Sequence, residues 1–248
     1  MTGLVGAVAR RDVTPMLVEG LRRLEYRRYD SAGIALLQGV EGRLDWRRCA
    51  GRVAELERRL GGVALAHAGI AHTRHATRGE PADHNAHPQV SHGIIAVAHN
   101  GDVTNYRLVR AMLEAKGYAF ESDTDTEVIA HLIHDFHKKQ RGLLRAVRQT
   151  IEVLDGRFAI AVVAAAEAGG LVVARHGSPL VIGIGAEGQW VTSDAATMQP
   201  WTRHSIVLTD GDVAELRRDQ LTVVDRYGHS FVHTLRTDSQ EPAARGSL

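Results

Sequence analysis

At 248 residues, with 44% hydrophobic and 24% charged residues and a formal net charge of +1, the chain has an ordinary globular composition. The near-neutral balance gives no reason to expect a nucleic-acid partner, and a single cysteine, Cys49, excludes an internal disulfide. No window approaches eighteen uncharged apolar residues, and MTGLVGAVARRDVTP lacks a basic region ahead of a long apolar stretch. Neither a membrane span nor a signal peptide is expected, and a cytoplasmic setting is.

In chain order, residues 3–9 (GLVGAVA) read as a buried strand, and Thr14-Pro15 supplies an N-cap and first-turn proline for a helix to about Glu25. Residues 32–39 and 42–48 read as a strand pair joined near Glu41-Gly42. Val53, Leu56 and Leu60 mark a short helix stopped by Gly61-Gly62, and 66–72 is strand-like. Thr73 to Gly93 is polar and irregular, and a connection of that length more often carries function than not. A strand at 94–99 is predicted to stop at Asn100-Gly101, followed by helices near 104–116, 124–138 and 142–153. FAIAVVAAA, LVVARHG, PLVIGIG, QWVTSD, SIVLTDGDVAEL and LTVVDRYG then read as strands separated by glycine or aspartate turns. Strands, helices and strands again imply an α+β arrangement of layered sheets with helices outside. No linker divides the chain, so one domain is expected over 2–238, with a polar tail at 239–248.

Two basic runs, Arg22/Arg23/Arg27/Arg28 and Arg47/Arg48/Arg52, read as solvated faces. His131, His134 and His137 lie three apart on a helix and drift round its axis rather than converging on one ion. His84 and His87 sit in a loop without a third ligand, so no metal and no cofactor is expected. Cys49 reads as a packing residue.

Four segments carry a closer resemblance: residues 2–35 (TGLVGAVARRDVTPMLVEGLRRLEYRRYDSAGIA), GIAHTRHATRGEP with NAHP, HNGDVTNY and SDTDTEV. Together with RHGSPLVIGIG, VTSD and LTDGDVAEL, these resemble, in order and over nearly the whole chain, the class II glutamine amidotransferase family. The glutaminase domain of glucosamine-6-phosphate synthase is the member they resemble. The resemblance implies an Ntn-hydrolase αββα sandwich with a chain-terminal nucleophile. Thr2 stands where that family carries cysteine. Once Met1 is removed, an α-amine of pKa about 8 lies within reach of its own side chain and can act as general base. A threonine hydroxyl activated in this way is an accepted arrangement, although a thiol is far more acidic.

By the same resemblance, Asn100 and Gly101 form the oxyanion hole. Arg74, Thr77 and Asp125 hold an amino-acid substrate, Arg74 pairing with its α-carboxylate and Asp125 with its α-ammonium. From its setting alone, Asp125 also reads as a helix N-cap. Other positions depart from the family: His75 replaces a gating tryptophan, Arg78 a histidine and Arg28 a glycine. Two added arginines are therefore expected to border the pocket, either for a substrate with an extra anionic group or through drift. His87 reads as structural.

Three outcomes stay open for Thr2: an active threonine amidohydrolase acting on glutamine or a relative, a silent glutamine-binding or regulatory domain, or a substituted amidotransferase. Only a first domain fits before Leu248. The expected partners are therefore a glutamine-like amide and, for any ammonia released, a separate synthase subunit.

Overall fold

The computed structural model describes residues 2–139, 142–165, 167, 169–230 and 236–237. The predicted tail at 239–248 lies outside these residues.

β1 (Gly3–Ala9) is buried at every position, as a strand covered on both faces must be. α1 (Thr14–Arg23) follows with Pro15 in its first turn, but Thr14 is not its cap. The cap position is Val13, which has no side-chain cap bond; Asp12 holds the first turn instead, its Oδ1 accepting from the Thr14 N–H at 3.1 Å and the Thr14 hydroxyl at 2.9 Å. The same oxygen accepts from the Ala66 N–H at 3.2 Å, a tertiary contact that periodicity cannot show.

β2 (Ser31–Gln38) and β3 (Arg43–Ala50) form the expected pair, followed by α2 (Val53–Arg59) and β4 (Ala66–Arg74). The irregular stretch after β4 contains a 3-10 turn at Asp83–Asn85 and a short strand, β5 (Gln89–Ser91). β6 (Ile95–Val103) does not stop at Asn100-Gly101. It runs on because β7 (Gly156–Ala164) pairs with it through Asn100↔Ala159, Gly101↔Phe158 and Val103↔Gly156. Between them come α3 (Tyr106–Glu114), α4 (Asp125–Lys139) and α5 (Leu143–Val153).

β8 (Gly170–His176), β9 (Val181–Gly185) and β10 (Gly188–Thr192) follow. The segment SIVLTDGDVAEL then divides into β11 (His204–Val207) and β12 (Val213–Arg217), which lie in different sheets. β13 (Gln220–Val224) and β14 (Arg236–Thr237) complete the described strands.

One sheet has the order β14-β11-β9-β10-β1-β4-β2-β3 and the other β13-β12-β8-β7-β6-β5. Leu4, Val8 and Ile70 of the first pack against Ala96, Ala98 and Ala161 of the second; small alanines let the sheets close on one another. Leu17, Leu21 and Leu56 of α1 and α2 cover the outer face of the first sheet, against Val5, Ile34 and Ala71. Ile129, Ile133 and Val147 of α4 and α5 cover the second, against Val97, Ile160 and Val172. The result is the four-layer αββα sandwich.

Much of the basic character is neutralised locally: Arg22 pairs with Glu57, Arg23 with Glu19 and Arg47 with Asp45. Cys49 is fully buried among apolar side chains, and burial raises its thiol pKa. Among the described residues, no helix is long and apolar enough to cross a membrane.

Candidate active site

Thr2 immediately precedes β1, which lies between β4 and β10 near the middle of the larger sheet. The register Gly3↔Thr73 and Leu4↔His72 fixes its position along β4. On the other side, Leu4 and Ser193 exchange two hydrogen bonds, Leu4 N to Ser193 Oγ at 3.1 Å and Ser193 N to Leu4 O at 3.0 Å. Gly3 has no room for a side chain: a Cβ there would lie 2.7 Å from both Leu24 Cδ1 and Thr73 Oγ1. The backbone leading to Thr2 is thus held on every side.

Arg27, read from the sequence as part of a solvated basic face, is instead largely buried and adds a tether. Its Nη1 donates to the Thr2 carbonyl at 3.2 Å and its Nη2 to Asp194 Oδ2 at 2.9 Å. Tyr26 also donates to that carboxylate oxygen, at 2.5 Å. The signal was present, since Arg27 and Asp194 sit within LRRLEYRRYDS and VTSD, two of the segments that carry the family resemblance.

Thr2 opens onto a recess of about 160 Å³, whose wall includes Arg74, His75, Thr77, Arg78, Gly101 and Asp125. All the predicted site residues except Asn100 therefore meet at one place. Drug-sized pockets hold roughly 300–1,000 Å³, so this one is on the scale of a single small metabolite. Asn100 lies just beneath, 7% exposed, on the face of β6 that looks between the sheets. Its Oδ1 is 2.8 Å from His72 Nε2 on β4. Gly101 points the other way and carries φ +140°; a Cβ there would come within 1.9 Å of the Arg157 carbonyl oxygen. Glycine is required at that step of the strand.

The loop after β4 is built around Arg74. Its guanidinium donates to the carbonyls of Arg78, Gly79 and Glu80, which wraps the loop around a 3%-exposed side chain. Burial lowers the Arg74 pKa, opposed by the charges of Asp30, Asp125 and Asp123. Asp30 secures the same loop by accepting from the Ala76 N–H at 2.5 Å, and His75 Nδ1 stands 3.8 Å from the same carboxylate.

Asp125 is the first residue of α4, yet it does not cap its own helix: its Oδ2 accepts from the Val103 N–H of β6 at 2.8 Å. The backbone ahead of α4 is served instead by Glu127, which accepts from the N–H groups of Glu121 and Ser122 at 2.9 and 2.7 Å.

The expectation of two arginines bordering the pocket is half right. Arg78 lines it, but its charge is engaged by Asp102 at 2.6 Å and 2.9 Å, and its guanidinium lies 4.4 Å from the Tyr106 ring centroid. Arg28 is exposed and forms no part of the wall. An arginine pair open to an extra anionic group is therefore not assembled.

Three buried histidines surround the site. His72 and His87 have ring centroids 4.5 Å apart, and His87 and His99 are 6.4 Å apart. Burial pushes the pKa of His72 down to about 3 and that of His87 well below its ordinary value, and it lowers His99 too. All three are neutral at pH 7. His99 Nδ1 meets Thr126 Oγ1 at 3.0 Å, while His87 Nδ1 and His99 Nε2 have no partner. Among the described residues, no set of three His, Cys, Asp or Glu side chains is arranged to hold a metal ion.

Comparison with known proteins places this arrangement. Residues 72–200 match the family model described as a glutamine amidotransferase domain. Glutamine–fructose-6-phosphate aminotransferase (isomerizing) of Shewanella oneidensis is 50% identical over 230 residues, covering 92% of this chain and 37% of the relative. The protein of the same name from Pseudomonas aeruginosa is 47% identical over 232 residues, covering 92% and 38%. The chain thus spans under two-fifths of these relatives. Among solved structures, the glutamine phosphoribosylpyrophosphate amidotransferase of Bacillus subtilis superposes with a TM-score of 0.77 at 22% identity. That match covers 90% of this chain and 49% of the other, and it supports the shared fold. The chain belongs to the class II, N-terminal-nucleophile family of glutamine amidotransferase domains.

Proposed function

We propose that this domain is a threonine-dependent glutaminase that releases ammonia from the side-chain amide of glutamine or a close relative. The observation that carries the reading is that Thr2, at the head of β1, lines the same recess as Arg74, Thr77, Gly101 and Asp125. After loss of Met1, the α-amine takes the hydroxyl proton as Thr2 Oγ1 attacks the carboxamide carbon. The oxyanion that forms is met by the Gly101 N–H and the Asn100 side-chain amide, donors worth roughly 10²–10³ in rate each. The C–N bond breaks, the nitrogen leaves as ammonia with the transferred proton, and water then cleaves the Thr2 ester.

The amino-acid end of the substrate is held by charge. Arg74 has five N–H donors, of which three bonds go to the loop, so others remain for the α-carboxylate. Asp125 uses Oδ2 on Val103 and offers Oδ1 to the α-ammonium. His75 and Thr77 complete the rim, and Arg78, bound to Asp102, shapes it without adding a free charge. The domain reading covers 2–238, in a cytoplasmic setting, with the ammonia accepted by a synthase subunit. The names of the relatives at 47–50% identity support an aminotransferase context.

A second reading is a domain that binds glutamine without cleaving it, favoured by the weak acidity of the Thr2 hydroxyl where the family has a thiol. Intact mass, glutamine binding by calorimetry and ammonia release by wild type, Thr2→Ala and Thr2→Cys separate the two. Loss of Met1, with release abolished in Thr2→Ala and increased in Thr2→Cys, supports the amidase. Undiminished release by Thr2→Ala rules it out, and binding without release by wild type selects the second reading.

A further inference from the structure

We propose that His72 is a positioning residue that fixes which end of the Asn100 carboxamide faces the reacting centre; this deepens, and rests on, the reading of Asn100 as an oxyanion donor. A primary amide in a pocket wall can sit in either of two orientations related by a flip, and the two have opposite chemistry. With Nδ2 toward Thr2, Asn100 donates to a developing oxyanion. With Oδ1 toward Thr2, it places a lone pair against that charge.

Asn100 cannot settle the choice by itself. It sits on the inner face of β6 beside the apolar alanines Ala96 and Ala98, and among the described residues its side chain bonds only His72 Nε2, at 2.8 Å. That nitrogen can donate or accept, according to the tautomer of the ring. A His72 carrying its proton on Nε2 donates to Oδ1 and turns the NH₂ group the other way. A His72 carrying it on Nδ1 accepts from the NH₂ group and leaves Oδ1 facing outward.

Two observations select the first state. His72 is fully buried, and its Nδ1 has no hydrogen-bond partner. A proton placed on Nδ1 would leave a buried N–H unsatisfied, whereas a bare Nδ1 is an unused acceptor. Burial keeps the ring neutral and so holds it to a single proton. His72 itself is held in place: its backbone pairs with Leu4 in β1 and Gly33 in β2, and its ring packs against His87 at 4.5 Å. The chain linking nucleophile and oxyanion donor therefore runs Thr2, β1, His72, Asn100.

Two measurements on the full chain test this. In ¹⁵N-labelled protein, the His72 ring nitrogens report the tautomer directly between pH 6 and 8. A protonated Nε2 and a bare Nδ1 are expected, and a proton on Nδ1 overturns the proposal whether or not the protein hydrolyses glutamine. The second compares His72→Leu and His72→Gln in a Thr2→Cys background. Leucine removes the donor; glutamine keeps an N–H of similar reach. His72→Leu is expected to lower kcat about 10²-fold with KM changed less than about threefold, as for loss of one oxyanion donor. His72→Gln is expected to recover at least tenfold of that loss. Equal kcat in the two variants, or an effect confined to KM, overturns the proposal. Absence of ammonia release with His72 intact, in both wild type and Thr2→Cys, counts against the amidase reading instead, and the tautomer then decides the positioning role alone.

Discussion

Acidification should destabilise this fold well before its carboxylates protonate, because several histidines are neutral and buried. His72 is pushed down to about 3, His134 to about 4, and His87 well below the ordinary value, all principally by burial. In the unfolded chain each titrates near 6.5. The folded pKa lies below the unfolded one, so below pH 6.5 the unfolded chain binds protons that the folded protein refuses. Stability is at full strength above about pH 7 and falls as pH drops toward the folded values. Each such histidine costs about 1.4 kcal/mol per pH unit in that window, or about 2 kcal/mol between pH 7.5 and 5.0. Three together remove about 6 kcal/mol, comparable with the roughly 5–15 kcal/mol that holds a typical domain together. Glu127 and Asp135 are held below their ordinary values and remain ionised in this range, so they do not mask the effect. Urea denaturation at half-unit steps from pH 7.5 to 5.0 reads the slope. His72→Gln should flatten it by one proton's worth. A stability constant to within about 1 kcal/mol across that range would refute the reasoning.

Three further outcomes are expected. Gly101→Ala drives a Cβ to 1.9 Å from the Arg157 carbonyl inside a paired ladder. It should cost roughly 1–3 kcal/mol in chemical denaturation, with loss of ammonia release; a change below about 0.5 kcal/mol contradicts the pairing. Arg27→Ala releases the Thr2 carbonyl and one partner of Asp194. Loss of its charge-assisted bonds should cost about 1.5–3 kcal/mol and lower kcat more than it raises KM in steady-state kinetics. Arg78→Ala breaks a half-exposed pair with Asp102 and should change stability by no more than about 1 kcal/mol. It should nevertheless raise KM and speed proteolysis between Thr77 and Glu80; unchanged KM would remove Arg78 from the pocket's working parts.

The layered fold was legible because its strands and helices carry strong local periodicity: GLVGAVA, the Met16/Leu17/Leu21 face and the helix from Asp125 all lie where their patterns put them. What escaped was non-local. Asn-Gly reads as a turn to any local rule, and β6 passes through it only because β7, more than fifty residues later, supplies Ala159 and Phe158 as ladder partners. The division of SIVLTDGDVAEL between two sheets leaves no mark in its hydrophobic pattern. Asp12 ties the first turn of α1 to β4 through the Ala66 N–H, a contact that no local pattern shows.

For the site, motif resemblance brought Thr2 together with Arg74, Thr77 and Asp125. It placed Arg28 wrongly, since an arginine in a glycine's place says nothing of where its side chain goes. His72 passed unnoticed inside AHAGIAH, where it looks like one more strand residue; only the distance to Asn100 sets it apart.

The position of β1 also has a consequence in time. Leu4 is bonded to Ser193, 189 residues further along the chain. At about 5–20 residues per second of synthesis, the central strand of the larger sheet waits roughly ten to forty seconds for its second neighbour to be made. During that interval the strand leading from Thr2 has β4 beside it but not β10, so the recess at its head is completed late in synthesis.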